Sequence, residues 1–163
     1  MDTPDTARAC QACIKFLAQR PRSVEETKNH LVKKGFETST VSAAIDQLHQ
    51  DSLLNDRTFA SLFVENRETH RPRSKFALRY ELRQKGIEEG VIEEVLSEID
   101  ENRSAQAAVA PLLNLWKTME PEKFKKKIMN RLKNRGFNYE ISMSTYDHCC
   151  RKIQESGEEA NED

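Results

Sequence analysis

The sequence of 163 residues predicts an all-α protein built from three tandem three-helix repeats that form an elongated, curved, solenoid-like body. Three observations carry that prediction. A third of the chain is charged, aromatics make up 7%, and Gly and Pro number five each. Strands favour β-branched and aromatic residues and their turns favour Gly, so this composition suits helices that bury a single stripe. Apolar residues recur at helical spacing along almost the whole chain. A hexamer also returns three times, as Leu31-Val-Lys-Lys-Gly35-Phe36, Leu82-Arg-Gln-Lys-Gly86-Ile87 and Leu132-Lys-Asn-Arg-Gly136-Phe137, with the glycines 51 and then 50 residues apart. One such hexamer carries little weight; three at near-constant spacing mark a structural repeat.

Each hexamer reads as the end of a helix. A base sits near the negative pole, Gly takes the left-handed position just beyond, and the next apolar residue folds back on the last turn. The first repeat then has helices over 6–19, carrying Ala9, Cys13, Phe16 and Leu17, over 23–34, and over 39–50, carrying Val41, Ile45 and Leu48. Ser23 with Glu26 makes a capping-box pattern at the start of the second helix. The second repeat has helices over 55–70 with Phe59, Leu62 and Phe63, over 74–85 with Ser74 as its cap, and over 88–100 with Ile92, Leu96 and Ile99. The third has helices over 104–118, 121–135 and 138–153. Pro121 suits a first turn, whereas Pro111 falls inside its helix and predicts a kink or a later start. Val109, Leu112, Leu113 and Trp116 form the apolar stripe there, which makes the single tryptophan a core residue. The domain boundaries that follow are 1–54, 55–103 and 104–153, with 154–163 as an acidic, disordered tail. Modules this small bury their stripes largely against their neighbours.

Formal net charge is −1, but charge is segregated along the chain. Residues 67–85 hold seven bases against two acids, and 117–135 hold eight against two. Between them, 88–101 hold seven acids and no base. Local fields steer encounter with a charged partner, so a near-neutral total does not exclude a polyanion. The first ten residues lack a basic region followed by an apolar run, and no apolar stretch reaches the length of a membrane span. A cytoplasmic protein with reduced cysteines is the expectation.

At this level of detail the chain resembles the RecX family. The resemblance rests on the three Leu-x-x-base-Gly copies, on Asp56-Arg-Thr-Phe59-Ala60 opening the second repeat, and on Tyr80-Glu81-Leu82-Arg-Gln-Lys-Gly86-Ile87. Arg131-Leu-x-x-Arg135-Gly136-Phe137-Asn-Tyr139 adds to it, and it spans nearly everything but the tail. Two departures occur: Arg71-Pro72-Arg73-Ser74 stands where the family usually has a Gly-rich turn, and Ser52-Leu53-Leu54-Asn55-Asp56 where Gly and an aromatic often precede paired acids. The resemblance implies a non-enzymatic regulator that binds the RecA–single-stranded DNA filament along its groove. It would restrain RecA's ATP hydrolysis, strand exchange and promotion of SOS-repressor cleavage.

Candidate contact residues come from the basic segments. Lys75, Arg79 and Arg83 recur at i, i+4 and i+8 on the fifth helix opposite Leu78 and Leu82, with Lys85 at its end and Arg67, Arg71 and Arg73 approaching the same region. On the eighth helix Lys127, Arg131 and Arg135 form a second stripe, with Lys123 and Lys126 nearby. Such rows suit DNA phosphates, single-stranded or double-stranded, or the acidic surface of a protein partner. The plainer alternative is a solvated face balanced by Glu88, Glu89, Glu93 and Glu94. As a whole function, the alternative is a nonspecific DNA-binding or protein-binding helical adaptor with no RecA partner.

No catalytic residue, cofactor or metal is expected. Cys10 and Cys13 form a C-x-x-C, and Cys149 and Cys150 are adjacent beside His148, but Cys13 lies on an apolar helical stripe where cysteine behaves as a small hydrophobe. His30 and His49 lie on helices without a nearby serine or cysteine to activate, His70 precedes the basic turn, and no Gly-rich phosphate loop is present. The expected state is a monomer.

Overall fold

The computed structural model describes residues 4–159, all of whose regular elements are helical. The elements are α1 (Pro4–Leu17), α2 (Val24–Lys33), α3 (Thr38–Gln50), α4 (Asp56–His70), α5 (Lys75–Gln84), α6 (Glu89–Ser97), α7 (Glu101–Val109), a 3₁₀ turn (Ala110–Leu112), α8 (Leu113–Trp116), α9 (Pro121–Asn134) and α10 (Tyr139–Glu159). Pro111 has the effect expected of it. It cannot donate an amide hydrogen bond, and the predicted helix over 104–118 breaks into α7, the 3₁₀ turn and α8 around it.

Helix ends follow from the sequence signals. Ser23 Oγ accepts from the Glu26 N–H at 3.1 Å while the Ser23 N–H donates to Glu26 Oε2 at 3.0 Å, completing the capping box. Ser74 Oγ accepts from the Ala77 N–H at 3.0 Å, and Pro121 opens α9. Each repeated glycine has positive φ, at 86°, 73° and 87° for Gly35, Gly86 and Gly136. In each case the following apolar residue sends its N–H back to the hexamer's leucine carbonyl: Phe36 to Leu31 at 3.3 Å, Ile87 to Leu82 at 3.1 Å, and Phe137 to Leu132 at 3.1 Å.

One helix end was not legible. Ser52 also has positive φ (57°), and the Leu53 N–H donates to the Leu48 carbonyl at 2.9 Å, so α3 ends in the same motif without a glycine.

Two compact units are present. One comprises the residues up to Val64 together with Tyr80–Ser97; the other comprises Glu65–Arg79 and the residues from Glu98 onward. The division passes through α4 and α5. In the first unit, Ala9, Cys13, Leu31, Val41, Ala44, Ile45, Leu48 and Leu54 form a closed apolar cluster among α1, α2 and α3. In the second, Ala105, Ala108, Val109, Trp116, Phe124, Ile128, Leu132, Phe137 and Cys149 do the same. Trp116 is therefore a core residue, as its phase with Leu112 and Leu113 predicts.

Successive repeats are joined by a device that occurs once in each unit. The glycine ending α5 abuts the start of α2 at Glu25, and the glycine ending α9 abuts the start of α5 at Ser74. A carboxylate from the first turn of α4 or of α7 completes each cap. Asp56 Oδ1 accepts from the Val24 N–H at 2.9 Å, and Glu101 Oε1 accepts from the Lys75 N–H at 2.9 Å. Both satisfy a first-turn amide that the helix cannot pair itself.

The acidic tail departs from expectation. Helix α10 continues to Glu159, so residues 154–159 are helical where disorder is predicted, and residues 160–163 lie outside the described residues.

Candidate nucleic-acid and partner interface

Helix geometry sorts the predicted basic residues into three groups. Residues at i, i+4 and i+8 drift by about 40° per step round a helix of 3.6 residues per turn, so a row that begins exposed can end buried. On α9 the row Lys127, Arg131, Arg135 does this. Lys127 is exposed, whereas Arg131 and Arg135 turn toward the side of Phe124, Ile128 and Leu132 and are half-buried. Arg131 Nε donates to the Ala108 carbonyl at 2.6 Å, and Arg135 Nη1 donates to the Pro72 carbonyl at 3.0 Å. The exposed basic face of α9 is instead Lys123, Lys126, Lys127 and Lys133. Three of these lysines line an open groove of about 630 Å³ together with Met119, Glu120 and Asn130.

A similar correction applies to α5. Lys75 and Arg79 lie on the flank and are half-buried, and Arg83 alone of the three is exposed. Opposite the buried Leu78 and Leu82 stand Phe76 and Tyr80, which are 72% and 61% exposed. Arg83 forks onto Glu89, with Nε and Nη2 donating to its two oxygens at 2.8 and 2.7 Å. Because both side chains are more than half exposed, this pair contributes little to stability. Lys85 Nζ meets Glu26 Oε1 at 2.8 Å, which makes it a joint between α5 and α2. Arg67 is half-buried on α4.

What sequence spacing does not reveal is an arginine cluster. Arg71 and Arg73 occupy the turn before α5, and the end of α9 meets that turn through Arg135, whose Nη1 donates to the Pro72 carbonyl and whose own carbonyl accepts from the Ser74 N–H. Burial first, and then the positive charges of Arg131, Arg71 and Arg73, push the Arg135 guanidinium below its ordinary pKa. Arg71, Arg73 and Arg131 thus lie close enough to Arg135 for their charges to act on it, and the planar fork of arginine matches phosphate and carboxylate. Pairing 71–73 with 131–135 requires knowing that α9 ends against the start of α5. No local pattern states that.

The remaining candidates have structural roles. Cys13 lies in the core of one unit and Cys149 in the core of the other, and burial pushes both thiols up to about 11. Among the described residues, no group of three or more His, Cys, Asp or Glu is placed to hold a metal ion. His30 stacks on Phe16 at 3.9 Å, with Arg22 over the same Phe16 ring, and His49 Nδ1 lies 3.0 Å from the Leu54 carbonyl. Among the described residues, no helix is long and apolar enough to cross a membrane.

Comparison with known proteins agrees with this architecture. Residues 9–48 match the family model described as RecX, first three-helix domain, and residues 55–96 match RecX, second three-helix domain. The regulatory protein RecX of Prosthecochloris aestuarii is 34% identical over 148 residues, covering 90% of this chain and 97% of that one. That of Chlorobium phaeobacteroides is 33% identical over 151 residues, covering 93% and 99%. A crystal structure of RecX from Lactobacillus salivarius shares the fold, with a TM-score of 0.74 at 20% identity over 92% of this chain and 97% of that one. On these matches, which extend across both three-helix domains and most of the chain's length, the protein belongs to the RecX family of regulatory proteins.

Proposed function

We propose that this protein binds the RecA–single-stranded DNA filament in the cytoplasm and restrains RecA's ATP hydrolysis, strand exchange and coprotease activity, acting by occupation rather than catalysis. The observation that supports this reading best is the basic surface of the second unit: the cluster of Arg71, Arg73, Arg131 and Arg135, and the row of Lys123, Lys126 and Lys127 on α9. Arginine forks and point-charge lysines together suit a phosphate backbone and the acidic surface of a protein wound on it. Family membership supports the regulatory role. Tandem modules suit a repeating partner, because each modest contact adds to the last without a deep pocket. Restraint would be steric and electrostatic, keeping a second DNA strand and the repressor out of the occupied groove.

The test compares binding to bare and to RecA-coated single-stranded DNA for the wild type and for K123E/K126E/K127E. The expected result is preference for the coated strand. The variant should bind less tightly and lose about one unit of salt slope for each phosphate contact removed. Tight binding to bare DNA with no preference for the coated strand would favour the nonspecific DNA-binding adaptor instead.

A further inference from the structure

The three copies of the repeat provide an internal control for what the fold requires on its surface. The second helix of each repeat exposes the positions ten, six and three residues before its glycine. These are Glu25, Asn29 and Val32 on α2; Phe76, Tyr80 and Arg83 on α5; and Lys126, Asn130 and Lys133 on α9. All nine side chains are exposed. In α2 and α9 the first two positions hold polar residues, so no packing demand of the repeat calls for an aromatic ring there. Only α5 places two large rings in solvent, at 72% and 61% exposure, one turn apart on one helix.

Exposed apolar area with no structural purpose marks a contact surface. Its chemistry is constrained by its neighbours. A helix that docks in an apolar groove continues its stripe to i+3, i+4 and i+7; from Phe76 those positions are Arg79, Tyr80 and Arg83, so the apolar area ends at two rings. Two aromatic faces among cations is the pattern of a surface that stacks bases and tracks phosphates. Side chains one turn apart on a helix stand roughly 5–6 Å apart. Bases stacked in a duplex lie only about 3.4 Å apart, with their faces already covered. The spacing therefore suits two unpaired bases spread apart, not a duplex.

We propose that Phe76 and Tyr80 form a stacking platform for two unpaired bases of a single-stranded nucleic acid, with Arg79 and Arg83 beside them for the adjoining phosphates. Arg83 can exchange Glu89 for a phosphate at small cost, because the ion pair is exposed on both sides. The proposal rests on the reading of this chain as a ligand of single-stranded DNA, and its test contains no recombinase, so the two can fail separately.

The experiment measures fluorescence anisotropy of a labelled oligothymidylate and of an abasic phosphodiester strand of equal length, with circular dichroism confirming that each variant is folded. The wild type should prefer the strand that carries bases. F76A and Y80A should each weaken binding to oligothymidylate by about fivefold or more, since stacking contributes about 1–3 kcal/mol per base. F76A/Y80A should bind the abasic strand as the wild type does, and F76W/Y80W should restore the preference. Equal affinity of the wild type for both strands, or binding to neither, overturns the platform. So does a double variant that keeps wild-type affinity for oligothymidylate.

Discussion

The three repeated glycines share one backbone conformation but have different surroundings, and that difference sets what each alanine substitution costs. Gly35 (φ 86°) has nothing within 4 Å of where a Cβ would stand. Gly35→Ala therefore incurs only the left-handed penalty of about 1–2 kcal/mol, partly offset by a stiffer unfolded chain. At Gly136 the added carbon would lie 2.5 Å from Ser74 Oγ and 3.0 Å from Ala77 Cβ. Ser74 Oγ is the cap of α5, so turning it away removes the hydrogen bond to the Ala77 N–H. Loss of a cap costs about 0.5–2 kcal/mol, which brings Gly136→Ala to roughly 1.5–4 kcal/mol. At Gly86 the carbon would meet Glu25 Cβ at 2.6 Å and Cγ at 2.9 Å. A Cβ cannot swing aside, so the start of α2 must shift, and overpacking of this kind adds about 1–3 kcal/mol. The expected order of damage is Gly35→Ala least, then Gly136→Ala, with Gly86→Ala equal or greater. Urea unfolding followed by far-ultraviolet circular dichroism measures it, and at about 2–4 °C per kcal/mol for a chain of this size thermal midpoints should separate too. Equal losses at all three positions, or the greatest loss at Gly35, would refute the claim that Gly86 and Gly136 form the joints between successive repeats.

Two further predictions concern stability. Ser52 holds φ at 57°, where a side chain is strained, so Ser52→Gly should stabilise the protein by about 1 kcal/mol in the same unfolding assay; a destabilised variant would show that the serine repays its strain. For Glu26, burial alone would raise the carboxyl pKa, but the hydrogen bonds from Arg20, Lys85 and the Ser23 N–H outweigh it and hold the group at about 2, below its ordinary 4.5. Its contribution is complete above pH 4.5 and is lost as pH falls toward 2, so the wild type should lose more stability than Glu26→Gln across that window, and parallel curves would contradict the joint at Lys85.

The parts of this fold that were legible in the sequence are those written locally. Leu-x-x-base-Gly followed by an apolar residue encodes a helix end in neighbouring side chains, so the ends of α2, α5 and α9 at Lys33, Gln84 and Asn134 fall within a residue of the expected positions. Pro111 and Pro121 likewise act within one turn of themselves. Ser52 shows the limit: it adopts the glycine conformation because Leu53 and Leu54 fold back on Leu48, and no residue type announces it. The contact residues were less legible for a related reason. Spacing of four suggested that Arg131 and Arg135 extend the lysine row, but the helical drift carries them to the buried flank, where they bind the Ala108 and Pro72 carbonyls. The same drift placed Phe76 and Tyr80 at the centre of the solvent face of α5, with the bases on its flanks. Reading each helix as a full circle, not as a single row, would have found both.

The central claim, regulation of a recombinase filament, is tested most directly by RecA's single-stranded-DNA-dependent ATP hydrolysis, titrated with this protein well below one copy per RecA monomer. The account predicts inhibition at low ratio. Unchanged hydrolysis at equal ratio and low salt would contradict it, and would mean that this chain keeps the family's fold without acting on RecA.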